Sequence, residues 1–186
     1  IILSNSVGVI DSGYRGEVML KFKSTVRVLS FGSLLNIMDY LFGKVPKKIL
    51  LLGGGDGLLL RELLKYDEIE SIDFIELDEK MIDLAKGRFA ALNEYSVSNP
   101  KVKTQINDGF YYLRNTSNKY DAIFIDFPYP NSYDLARLYS VEFYKYVRKA
   151  LNPEGFVVLD APFFDRENEI KDHVRGRIML TTVFNE

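Results

Sequence analysis

The sequence predicts an α/β protein, a mostly parallel sheet with helices on both faces, preceded by a short β-hairpin. Three observations carry this reading. From Lys47 onward, strand-like and helix-like segments alternate. Two of the strand-like segments, "KILLL" and "YDAIFID", are near-continuous apolar runs, as in strands buried on both faces. Glycine or a polar residue closes one such segment after another. Strand–helix–strand alternation implies right-handed crossovers and therefore parallel pairing.

The elements follow in order. Lys48 to Leu52 is the first strand and runs into the glycine loop "GGGDG". Leu58 to Lys65 is a Leu-rich helix. Ser71 to Leu77 is the second strand. Asp78 is placed to cap a helix through about Ala91, with Met81, Ile82, Leu84 and Ala85 on one side. Lys101 to Ile106 alternates and reads as a short third strand. Phe110 to Arg114 is a short helix, and Tyr120 to Asp126 is the fourth strand. Ser140 to Leu151 is a helix stopped by "NPEG", and Phe156 to Asp160 is the fifth strand. Phe143, Tyr144 and Tyr146 lie at helical spacing and are expected to pack in the core and at its edge.

Composition sets the outer limits. The 186 residues suit one domain large enough to bury a core. Hydrophobic residues make up 47% and charged residues 27%, which fits a globular chain. A net charge of -2 gives no reason to expect nucleic acid or an anionic membrane as partner. With no cysteine there is no disulfide and no thiolate metal site, which is compatible with a reducing compartment; the cytoplasm is the expected location. Apolar runs fall far short of a membrane span, and no signal peptide is evident. The chain starts on Ile1 and stops at "TTVFNE", so a fragment truncated at the carboxyl end is expected.

Ligands of such sheets sit beyond the carboxyl ends of the strands. Here those ends carry Gly53 to Gly57, then Glu76 and Asp78, then Asn107 and Asp108, then Asp126. A structural reading would leave them to turn formation alone. Gly53, Gly55 and Gly57 allow a sharp turn and close approach of a ligand to the backbone. The dinucleotide pattern would need Gly or Ala at Leu58, so a pyrophosphate is disfavoured. Glu76 ends the next strand, where a carboxylate can accept both ribose hydroxyls. The loop has no phosphate-type lysine. A nucleoside without phosphates is therefore expected, with S-adenosylmethionine and its decarboxylated form as candidates and no metal. Asp108 is placed to receive the adenine amino group.

"LLLGGGDGLLLREL", "IDFIELDEKMIDLAK", "VKTQINDGFYYLR", "YDAIFIDFPYP" and "LYSVEFYKYVRKALNPEGFVVLDAP" stand in the order found in polyamine aminopropyltransferases. The chain resembles the spermidine synthase family, in its bacterial spermidine-synthase-like type, over about Pro46 to Pro162. The resemblance implies a Rossmann-like fold of the S-adenosylmethionine-dependent transferase kind. It implies aminopropyl transfer from decarboxylated S-adenosylmethionine to a polyamine. By that resemblance Glu76 binds the ribose, Asp108 and Gly109 bind the adenine, and Gly53, Gly55 and Gly57 shape the loop. Asp56 faces the positive end of the nucleoside's side chain, and Asp126 is the catalytic acid–base group. The family loop has a second Asp where this chain has Tyr129, which falls at the amine-binding position. The family's amino-terminal β domain is not recognisable. Most methyltransferases of this fold have an acidic residue where this chain has Leu51. A methyltransferase, a noncatalytic module of the same fold and a dUTPase relic remain the alternatives, and a homodimer is compatible with the reading.

The relic reading comes from "IILSNSVGVIDSGYRGEVMLKF" (Ile1 to Phe22), which resembles the third motif of trimeric dUTPases at residues 7–18. The resemblance implies that Asp11 positions a water and that Tyr14 packs under a deoxyribose. The structural alternative is a β-hairpin with Gly13 at its turn. The expected organisation is thus a hairpin and connecting segment over 1–45 and a nucleoside-binding domain over 46–186.

Overall fold

The structure is a computed structural model that describes residues 45–128 and 133–159, with Tyr133 described by its backbone alone. The amino-terminal segment with Asp11 and Tyr14, and Tyr129 in the loop after Asp126, lie outside the described residues.

Five parallel strands form one sheet in the order β3-β2-β1-β4-β5. They are β1 (Lys48–Gly53), β2 (Ser71–Glu76), β3 (Val102–Ile106), β4 (Tyr120–Asp126) and β5 (Leu151–Leu159). The helices are α1 (Leu58–Leu63), α2 (Glu79–Lys86), α3 (Gly109–Asn115), α4 (Tyr133–Ala136) and α5 (Val141–Ala150), with short 3₁₀ turns at Ser96–Ser98 and Arg137–Tyr139. Because β1 is central and the chain goes first to one side and then to the other, the order reverses between β1 and β4. That reversal opens a crevice at the carboxyl ends of these two strands.

Strand alternation divides the core. Ile49 and Leu51 of β1 face one side and join Leu60 and Leu63 of α1, Phe74 of β2, and Ile82 and Ala85 of α2. Leu50 and Leu52 face the other side and join Leu113 of α3, Ile123 and Ile125 of β4, and Phe143, Tyr144 and Val147 of α5. Successive residues of β1 thus alternate sides, yet Ile49, Leu50, Leu51 and Leu52 are all fully buried, which is why the run shows no polar alternation. Phe143 packs on Phe110, Phe127 and Tyr144, and Tyr146 stands edge-on to Phe110, so the aromatic spacing of α5 is core packing. β3 lies at one edge of the sheet and is only partly covered, in keeping with its alternating sequence.

Two boundaries differ by five residues from the sequence expectation. α2 stops at Lys86 rather than near Ala91, because Gly87 leaves the helical conformation, with φ −103° and ψ −96°. The chain then makes turns up to β3. β5 begins at Leu151, not Phe156. Leu151 already pairs with Tyr120, and the "NPEG" residues bulge before Phe156 pairs with Ala122. α4 and the turn at Arg137–Tyr139 lie between β4 and α5, a stretch assigned to no element from the sequence. Among the described residues, no helix is long and apolar enough to cross a membrane.

Candidate active site

The register of β1 and β4 puts Gly53 directly beside Asp126, at the carboxyl end of both strands. Gly53 and Gly54 have φ of +80° and +73°, a left-handed conformation that a side chain resists. Space is equally short. A Cβ on Gly53 would collide with the Asp126 carbonyl oxygen, and one on Gly54 would come within 3.0 Å of the Asp126 carboxylate. The loop therefore lies against Asp126. On its other side, a Cβ on Gly55 would meet Met81 and stand 2.8 Å from Glu76 Oε2. Three glycines in a row let the chain pass between two strand-end carboxylates.

Glu76 is held by its own turn. Its Oε1 accepts hydrogen bonds from the backbone N–H of Leu77 at 2.8 Å and of Asp78 at 2.9 Å, leaving Oε2 turned toward Gly55. Burial pushes the Glu76 carboxyl above the usual range, and the negative charges of Asp78 and Asp56 add to this, against the lowering effect of the two N–H donors. Asp56 closes the loop. Its Oδ1 accepts from Leu58 N–H at 2.9 Å, and burial raises its carboxyl too, opposed by that bond and by the charge of Arg61. Carboxylates kept partly out of water and near one another favour a cationic ligand, since a cation restores what desolvation removes.

Asp108 caps α3, with Oδ1 accepting from Tyr111 N–H at 2.8 Å. Its Oδ2 accepts from the guanidinium of Arg137, which also lies over the Phe110 ring at 5.7 Å and donates from Nε to the Asp134 carbonyl. Gly109 follows with Phe127 against it, where a Cβ would stand 2.9 Å from the ring. The adenine candidate is therefore already committed to a cap and an ion pair, and it has accepting capacity left only through second lone pairs. The Arg137 contact was not legible beforehand, as the partners are 29 residues apart and meet through the crossover.

Of the residues singled out from the sequence, the structure brings Gly53, Gly55, Asp56, Gly57, Glu76 and Asp126 together around one loop, with Asp108 and Gly109 at the next strand end. Asn93 and Ser96, behind the loop, went unnoticed. So did a buried cluster in which Asp73 accepts from Tyr120 at 2.7 Å, with the Tyr112 hydroxyl 2.6 Å from that of Tyr120. An Asp in the middle of an apolar strand was a visible signal, because a buried carboxylate needs donors. Among the described residues, no three or more His, Asp or Glu side chains group to hold a metal ion.

Fold and strand-end carboxylates together define a Rossmann-like α/β domain whose candidate site lies at the carboxyl ends of its strands. Comparison with known proteins gives the family. Residues 33–177 match the spermine/spermidine synthase domain, and the chain belongs to that family. Polyamine aminopropyltransferase 1 of Streptomyces coelicolor is 43% identical over 120 residues, covering 62% of this chain and 23% of that protein. Polyamine aminopropyltransferase 2 of Ralstonia nicotianae is 36% identical over 177 residues, covering 85% of this chain and 34% of that protein. The chain thus spans about a quarter to a third of the length of these curated relatives. Among solved structures, spermidine synthase in complex with the transition-state analogue AdoDATO matches with a TM-score of 0.63 at 30% identity, over 75% of this chain and 46% of that one. Spermidine synthase from Thermotoga maritima matches with a TM-score of 0.65 at 27% identity, over 83% and 50%.

Proposed function

We propose that this chain carries the nucleoside half and the acid–base group of an aminopropyltransferase, which moves an aminopropyl group from decarboxylated S-adenosylmethionine to a polyamine. The observation that carries the reading is the pairing of Gly53 with Asp126 at the strand-order reversal, with Glu76 across the same loop. That a similar spermidine synthase is known with AdoDATO supports the choice of donor.

In this reading the Glu76 carboxylate accepts both ribose hydroxyls, and Asp108 with Gly109 receives the adenine. Asp56 faces the ammonium of the aminopropyl arm. Asp126 orients the acceptor amine and takes its proton as the nitrogen attacks the carbon beside the sulfonium. The carbon–sulfur bond breaks and its electron pair stays on sulfur. Methylthioadenosine leaves as a neutral thioether, so no acid is needed on that side. Tyr129 would stand at the amine site in place of a carboxylate. The division into a hairpin segment over 1–45 and a nucleoside-binding domain over 46–186 belongs to this proposal, as does homodimer formation.

A product assay with putrescine and spermidine tests it. Asp126→Asn keeps the shape and removes the charge, so turnover should fall by about 10²–10⁴ while nucleoside affinity changes little. Tyr129→Asp should strengthen acceptor binding by about 1–2 kcal/mol, the scale of a charge-assisted contact that is not fully buried. If neither the wild type nor either variant makes product while nucleoside still binds, the aminopropyl reading fails.

A further inference from the structure

We propose that Asn93 is a positioning residue: with Ser96 beside it, it fixes Asp56 from behind the glycine loop and so sets the grip on the charged arm of the donor. This rests on the role assigned to Asp56 above.

Asn93 has no exposed surface, and Ser96 is 2% exposed. Asn93 Nδ2 donates to the Asp56 carbonyl and to the Ala85 carbonyl, each at 2.9 Å. Ser96 Oγ donates to the next carbonyl of the loop, that of Gly57, at 2.7 Å. Two consecutive carbonyls of the loop are thus held by side chains 37 and 39 residues away. The second bond of Asn93 goes to α2, the helix that starts just after Glu76. One amide therefore joins the Asp56 turn to the helix behind the ribose site.

The arrangement is kept at a cost. With both Nδ2 hydrogens committed to carbonyls, the amide can face only one way, and Asn93 Oδ1 is buried without a hydrogen-bond partner among the described residues. Glu94 and Tyr95, between the two clamping residues, have φ of +55° and +59°. Neither is glycine, and the left-handed region costs a side chain energy. Gly57 must lack a Cβ, which would stand 2.7 Å from Val97, 2.9 Å from Ser96 Oγ and 3.0 Å from Asn93 Nδ2. Two strained residues, one orphaned acceptor and one obligatory glycine all serve the approach of this turn to the loop. Asp56 is then fixed twice, through its carbonyl by Asn93 and through its carboxylate by Leu58 N–H.

The test compares two ligands on the full chain by calorimetry. Decarboxylated S-adenosylmethionine carries the ammonium; methylthioadenosine is the same nucleoside without it. Asp56→Asn should weaken the first about tenfold and the second less than about twofold. Asn93→Ala should show the same selective loss, and Ser96→Ala a smaller one in the same direction. Amide hydrogen exchange gives a ligand-free readout. In Asn93→Ala the Gly57 and Leu58 amides should exchange about tenfold faster, with the amides of β1 within about twofold of wild type. Equal weakening of both ligands, or faster exchange spread evenly over the fold, would make Asn93 merely structural and overturn the inference. If Asp56→Asn shows no selectivity, the role of Asp56 fails instead, while exchange still decides whether the clamp exists. If Asn93→Ala does not fold, Ser96→Ala carries both measurements, and the absence of any local change there overturns the inference.

Discussion

The two ends of the same sheet treat their carboxylates in opposite ways. At the amino end, Asp121 of β4 accepts from the backbone N–H groups of Lys47 and Lys48 at 3.0 and 2.9 Å and from Asn152 at 2.7 Å. It laces β1, β4 and the start of β5 together. Five positions on, at the carboxyl end of the same strand, Asp126 lies against a glycine loop shaped to admit it. Glu62 and Glu76 repeat the contrast. Burial acts upward on Glu62, but hydrogen bonds and charge from Lys65 and Arg61 outweigh it and hold its carboxyl below the ordinary range. At Glu76 burial dominates and the carboxyl is raised. Away from the site, carboxylates are matched by cations and amides. At the site Asp108 is matched by Arg137, but burial outweighs the donors of Glu76 and Asp56, a free-energy cost that an organic cation would offset.

The largest effect should come from the strand that connects both ends. Leu51 is fully buried in the core, so Leu51→Ala should lower stability by about 2–5 kcal/mol in urea unfolding. Next, Glu76→Ala should weaken nucleoside binding by about 1.5–3 kcal/mol, read by calorimetry, if Glu76 makes the two charge-assisted ribose bonds proposed for it. Asp121→Ala should do the reverse. It orphans three donors and should cost about 1–3 kcal/mol of stability, with the nucleoside dissociation constant unchanged. A loss of affinity there would erase the distinction between the two ends.

A smaller effect, in pH, sharpens it further. Because the folded-state carboxyl of Glu76 is raised, the folded protein holds that proton where the unfolded chain has released it. Stability therefore falls as pH rises from the ordinary carboxylate range through the raised value, and then levels off. Glu76→Gln should melt higher than wild type at neutral pH, and the difference should vanish below about pH 4, where both states are protonated. Glu62→Gln should melt lower than wild type at neutral pH, since a depressed carboxyl stabilises above its unfolded value.

Much of the fold was legible because one periodicity repeats. Buried runs such as Lys48–Gly53 and Tyr120–Asp126 can only be central strands, and glycine or a carboxylate marks each carboxyl end. One cap was legible too: Asp78 accepts from Lys80 N–H at 2.9 Å, as its place before α2 suggested. Local composition misled at two points. Apolar Phe89, Ala90 and Ala91 extended the predicted α2 past Gly87, whose signal was the better one. Pro153 and Gly155 read as a full stop, where the chain bulges inside β5. What was not legible depends on distance. Arg137 reaches Asp108, and Asn93 and Ser96 reach the loop, only once crossovers have folded. No spacing rule joins an Asn in an irregular turn to a carbonyl 37 residues away.

If the carboxyl end of the sheet takes a cationic nucleoside, as proposed, the donor itself discriminates. Decarboxylated S-adenosylmethionine and S-adenosylmethionine differ by one carboxylate, and that group would have to enter among Asp56, Glu76 and Asp126. Titrated side by side into the wild-type chain by calorimetry, the decarboxylated form should bind at least about tenfold more tightly, since like charges brought together at a site oppose binding. Equal affinities, or tighter binding of S-adenosylmethionine, would rule out a site selective for the decarboxylated donor and turn it toward methyl transfer.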